Sequence, residues 1–123
     1  MRTMNRIFLV GRLGQDPELR KAKNGGEPWT TLSLATDRFR REGDQWVGEA
    51  EWHRVKVFGP TAEACHRLLR KGGVAAVEGR LTYDKWTAHD GTPRVTAQIM
   101  ADRVSCLEAA RAPEQVEQPV ATA

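Results

Sequence analysis

EWHRVKVFG, residues 51–59, is the stretch on which the reading of this chain turns. Successive side chains of a β-strand point to opposite faces, so Trp52, Arg54, Lys56 and Phe58 share one side and His53, Val55 and Val57 the other. Val55 and Val57 suit a hydrophobic core. The opposite row of rings and cations spans about 20 Å at roughly 3.3 Å per residue. Flat π-systems stack on unpaired bases of any sequence, and cations between them neutralise the phosphates alongside. The same pattern also fits an amphipathic edge strand whose long stems pack under a loop. Both readings stay open on this strand alone.

Working back toward the N-terminus, Trp29 to Asp37 (WTTLSLATD) alternates, with Leu32 and Leu34 inward and Thr31, Ser33 and Ala35 outward, which predicts a half-buried strand. Between it and residues 51–59, Arg38 to Ala50 (RFRREGDQWVGEA) reads as a loop with its tip at Gly43-Asp44. Arg38, Arg40 and Arg41 surround Phe39 there, and Trp46 follows. The rings either extend the stacking surface or fold back onto the domain. Upstream, Arg20 to Gly26 (RKAKNGG) forms a basic hairpin tip carrying Lys21 and Lys23. Asn5 to Leu13 (NRIFLVGRL) predicts a strand that bends near Gly11. Ile7 and Leu9 point one way, and Phe8 and Val10 the other. A strand apolar on both faces in so small a domain favours a subunit contact on one of them.

Toward the C-terminus, Pro60 to Lys71 predicts a core-plugging helix with an apolar stripe of Ala62, Cys65, Leu68 and Leu69, stopped by Gly72-Gly73. Val74 to Leu81 predicts a strand that runs into Tyr83, Lys85 and Trp86. Asp90-Gly91 turns the chain into a return strand, Pro93 to Val104, with Val95, Ala97, Ile99 and Ala101 inward. A second arm bearing rings and a base follows. Five strands with one helix between the third and fourth is the element order of an OB-fold, an all-β, five-stranded Greek-key barrel that binds oligonucleotides across strands 2 and 3. The domain is expected over residues 1–107. Residues 108–123, rich in Ala, Pro, Glu and Gln, read as a short disordered tail.

Composition excludes several classes. At 40% hydrophobic and 28% charged residues the chain is an ordinary globular one. The net charge of +3 conceals a more basic body, because Glu108, Glu114 and Glu117 sit against Arg111 at the C-terminal end; residues 1–107 carry 18 bases and 13 acids. That balance suits a polyanionic partner. The absence of an apolar signal segment and of a run long enough to span a bilayer leads to a cytoplasmic expectation, and Cys65 and Cys106 are expected reduced. There is no phosphate loop, no H-E-x-x-H and no paired C-x-x-C. No catalytic residue, metal or cofactor is therefore expected.

The sequence also resembles the bacterial single-stranded DNA-binding protein family. The resemblance lies in NRIFLVGRLGQDPELR (5–20), NGG (24–26), LSLATD (32–37), EWHRVKVFG (51–59), LLRKGG (68–73), VEGRL (77–81) and KWT (85–87). It implies that Trp52, Phe58 and Trp86, with Phe39, stack on bases of single-stranded DNA; Trp46 is not implied, and stays a stacking or a packing ring. It implies a homotetramer with His53 and the first strand, through Ile7, Phe8 and Val10, near a subunit face, in nucleoid-associated work of replication, recombination or repair. Such proteins recruit others through an acidic tip ending in Pro-Phe. This chain ends QPVATA, so recruitment by that route is not expected. Phosphate neutralisation falls to Arg54, Lys56, Lys85, Arg38, Arg40 and Arg41, with Lys21 and Lys23. An RNA-binding module of the same architecture and a protein-interaction scaffold are the alternatives.

Overall fold

The computed structural model describes residues 1–109 and builds them into one sheet closed on itself, with a single helix. The elements are β1 (Ile7–Leu13), β2 (Arg20–Lys21), β3 (Pro28–Glu42), β4 (Gln45–Phe58), α1 (Gly59–Leu68), β5 (Val74–Thr87) and β6 (Pro93–Glu108). The strand order is β1-β5-β6-β4-β3-β2, and an additional β1–β3 pairing completes the barrel. All pairings are antiparallel except the short β4–β6 contact at Val55↔Ile99 and Lys56↔Met100. This is the OB-fold arrangement, with the two-residue β2 as an addition to the five long strands.

Closure depends on the predicted bend at Gly11. β1 pairs with β5 from Ile7 to Arg12 and with β3 at Arg12 and Leu13, so one short strand bridges two partners. At the crossing, a Cβ on Gly11 would lie 2.2 Å from the Ala35 carbonyl oxygen. Only glycine lets the strands approach so closely. Asn5 extends the β1 edge without being in it: its side chain donates to Leu81 O and accepts from Leu81 N.

The core is drawn from the inward parity of each strand, with Leu32, Leu34, Val55, Val57, Ala75 and Val77 fully enclosed. α1 plugs it with Ala62 and Cys65. Burial pushes the Cys65 thiol up to about 11, so this cysteine is a packing group, whereas Cys106 is exposed. The helix ends at Leu68 rather than Lys71, and this alters the predicted stripe. Leu69 leaves the helix in an extended conformation and turns into the core, while Leu68 is left exposed. Gly72 N then donates to Leu13 O and Leu13 N to Gly73 O, stitching the helix exit to β1. The loop before β2 is tied to the same place. Asp16 Oδ1 accepts from Lys71 N at 2.8 Å, and His66 Nδ1 bonds Pro17 O at 2.9 Å.

Two further expectations are corrected. Residues 38–50 are not a loop: the β3–β4 ladder runs without interruption to Glu42↔Gln45, and Gly43-Asp44 alone makes the turn, with Gly43 at φ +63°. β-favouring Phe39, Trp46 and Val47 and the cross-strand pairs Arg40–Glu49 at 2.9 Å and Arg38–Glu51 at 3.6 Å support the ladder there. Likewise β5 and β6 continue as a ribbon to Thr87↔Pro93, so Val95 and Ala97 are exposed rather than inward. The barrel ends near Leu81↔Ile99, and beyond it the ribbon has no core to face. At the ribbon's tip the Asp90 carboxyl is held below the usual carboxylate range by the Thr92 hydroxyl and by the Thr92 amide, which donates to it at 2.9 Å. Of the tail expected from residue 108, residues 110–123 lie outside the described residues.

Candidate nucleic-acid interface

The β3–β4 register decides which side chains share a surface. Trp29 pairs with Phe58, Thr31 with Lys56, Ser33 with Arg54, Ala35 with Trp52, Phe39 with Gly48 and Arg41 with Trp46, with no shift between them. Because parity is preserved along an unbroken ladder, all of these occupy one wall, the one facing away from Leu32, Leu34, Val55 and Val57. Phe39, Trp46, Trp52 and Phe58 therefore form a single row running from the barrel out along the arm. Phe39, Trp46 and Trp52 are each at least 60% exposed, which an unliganded core-packing ring is not.

The second arm joins the same wall. Lys56↔Met100 links it to β6, and Arg80↔Met100 links β6 to β5. By alternation Thr82, Asp84 and Trp86 lie on that side, with Arg94 across from Trp86. Trp86 is tied to its ribbon by a 2.8 Å hydrogen bond that Nε1 donates to Thr96 Oγ1. Tyr83 and Lys85 are exposed on the ribbon's other face, so the second arm is not the one-sided ring-and-base cluster its composition suggests.

The cations divide in the same way. Arg54, Lys56 and Arg41 share the ring wall, and Lys56 Nζ lies 4.9 Å from the Trp29 ring centre and 5.7 Å from that of Phe58. Arg38 and Arg40 stand on the reverse of the arm, engaged with Glu51, Glu49 and Glu42. Lys21 pairs with Pro28, opposite in parity to Arg20 and its partner Trp29, and Lys23 is exposed at the hairpin tip. Strand parity in the sequence gives Arg54 and Lys56 this wall, whereas Arg38, Arg40 and Arg41, in a segment read as a loop, have no parity to apply. Trp29, Arg20 and Arg94 are not among the residues expected there. Trp29 is legible in the sequence, since it has the parity of the outward Thr31 and Ser33.

A cleft of about 760 Å³ opens on the ring wall between Trp52 and Trp29. Its side is the 14–20 loop, where the Trp52 ring lies so close to Gly14 that a Cβ there would sit 2.4 Å from it. Arg54, Arg20 and Ser33 also line the cleft. On the far side of the barrel, Phe8 and Val10 are exposed beside Glu78, while Ile7 turns toward the core. Arg6 bridges Glu78 at 2.6 Å and Asp102 at 2.7 Å at the rim of that patch. His53 is half-buried, on the parity of the core, and bonds Thr36 Oγ1 at 2.8 Å. Among the described residues no group of three or more His, Cys, Asp or Glu side chains converges as a metal site, and no helix is long and apolar enough to cross a membrane.

Comparison with known proteins places this geometry. Residues 4–107 match the single-strand binding protein family. The chain is 44% identical over 107 residues to a single-stranded DNA-binding protein of Xylella fastidiosa, covering 86% of this chain and 65% of that protein. It is 41% identical to the corresponding protein of Xanthomonas axonopodis pv. citri, covering 59% of that protein. The chain thus spans somewhat under two thirds of the length of these relatives. A solved structure described as a Plasmodium falciparum SSB complex with ssDNA superimposes with a TM-score of 0.79 at 29% identity, covering 88% of this chain and 98% of that one.

Proposed function

Because the chain belongs to the single-strand binding protein family, we propose that it binds single-stranded DNA without sequence specificity and shields it during replication, recombination or repair. The observation that carries this reading is the β3–β4 register, which sets Phe39, Trp46, Trp52 and Phe58 in one row, with Arg54 and Lys56 between Trp52 and Phe58 and Arg41 across from Trp46. Stacking ignores base identity, since every base has a π-face. Duplex DNA binds poorly because its bases already stack on one another. Trp86, reached through β6, extends the row onto the second arm. The binding is passive, with no bond made or broken and no cofactor. The exposed Phe8–Val10 face is where copies of the chain associate into a homotetramer, with His53 close to a subunit contact. The protein works in the cytoplasm, at the nucleoid, where its ligand is.

The test is binding of labelled oligo-dT over a series of salt concentrations, with duplex DNA and RNA of equal length as competitors. Tight binding, a steep salt dependence and weak duplex competition are expected. Equal competition by duplex would overturn the reading, and preference for RNA would replace DNA as the ligand. The faces of the cations make a sharper prediction. Arg54→Ala should reduce the slope of log affinity against log salt by about 0.7, the loss of one neutralised phosphate on a single strand. Arg40→Ala, on the reverse face and already paired with Glu49, should change it by less than half as much. Equal effects would show that the DNA path wraps both sides of the arm.

A further inference from the structure

The row of stacking rings leaves one tryptophan of the same wall unused. Trp29 is half-buried, lies outside the core cluster, and stands beside Phe58 at the opposite end of the cleft from Trp52. Trp29 and Ala35, the cross-strand partner of Trp52, are six residues apart on β3, about 20 Å of strand at roughly 3.3 Å per residue. The floor between them is Thr31 and Ser33, side chains too small to fill the space. At about 760 Å³ the cleft falls within the size of small-ligand sites. Its outer side is the loop that Asp16 and His66 fasten to the helix exit, so the shape does not depend on a bound strand.

Arg20 closes the Trp29 end. Its guanidinium carbon lies 5.7 Å from the Trp29 ring centre, and its exposed pair with Glu18 is long, at 3.4 Å. Neither contact holds it firmly, since a guanidinium near the 6 Å limit of a cation–π contact and a stretched surface ion pair are both weak. A phosphate offers the same guanidinium a stronger, bidentate partner.

We propose that this cleft is a nucleotide trough in which Trp29 stacks a base of the bound strand, while Arg20 leaves the ring to take the adjoining phosphate. The proposal rests on the single-strand binding reading above and adds to it a sixth strand-borne ring and a phosphate ligand from β2. It makes the loop at residues 14–20 part of the DNA path.

The experiment uses the full chain and oligo-dT at several salt concentrations, comparing Trp29→Leu, which keeps apolar bulk, with Trp29→Phe, which keeps a ring; denaturation midpoints establish that both are folded. Trp29→Leu should lose affinity by about 5- to 100-fold with an unchanged salt slope, and Trp29→Phe should stay within about threefold of the parent. Arg20→Ala should lower the slope by about 0.7. A Trp29→Leu affinity within twofold of the parent overturns the proposal. So does a slope that falls with the affinity while Trp29→Phe fares no better, because Trp29 would then only position Lys56 and Arg20. Trp52→Ala measured alongside separates the two levels: if it too leaves affinity unchanged, the stacking wall itself fails; if it weakens binding, only the trough does.

Discussion

Replacing Trp52 and Phe58 together by alanine should lower the affinity for single-stranded DNA by two to four orders of magnitude. Each ring contributes about 1–3 kcal/mol by truncation. The two lie six residues apart on β4, about 20 Å along the strand, far enough that their losses should add. Both side chains are exposed on the wall opposite the core, so the double mutant should keep its fold. Circular dichroism and a denaturant midpoint close to the parent's establish that point before binding is measured. A folded double mutant that still binds within tenfold of the parent would mean that the rings are not where the DNA lies.

The second large effect is on stability. Gly11→Val should destabilise the protein by about 3 kcal/mol, the upper range for forcing bulk into a packed interior. The new Cβ would meet the Ala35 carbonyl 2.2 Å away, and two further methyl groups would have to follow. β1 could relieve this only by retreating from β3, which would undo the Arg12↔Ala35 and Leu13↔Leu34 pairs that close the barrel. Equilibrium denaturation reads the loss directly. A change below 1 kcal/mol would show that β1 shifts freely and that closure does not rest on this crossing.

Much of this was legible in the sequence, and the failures have a common cause. EWHRVKVFG yields its two faces by counting, since a strand has period two and its aromatic-cationic and valine rows do not mix. The same counting would have carried through residues 38–50 had Gly43-Asp44 been taken as a two-residue turn joining continuous strands. Phe39 and Trp46 would then fall with Trp52, and Arg38 and Arg40 with the glutamates that pair with them. Composition saw an arginine cluster around a phenylalanine; register splits it between two surfaces. Val95 and Ala97 alternate as correctly as Ile99, yet they are exposed because the barrel stops short of them. Where a ribbon outruns its core depends on strand length and closure, which local pattern does not encode. Leu68 and Leu69 differ for a related reason: one backbone turn at the helix exit, fixed by contacts to β1, decides which of two adjacent leucines faces inward.

For bases stacking on this wall, the chain carries its own reporters. All of its tryptophans, Trp29, Trp46, Trp52 and Trp86, have the parity of the ring-bearing face. Titration with oligo-dT, followed by intrinsic tryptophan fluorescence, should give strong, saturable quenching that reverses when salt is raised. Binding of the oligonucleotide detected by its own label, with tryptophan emission unchanged, would contradict the account, because the strand would then cross some other surface of the barrel.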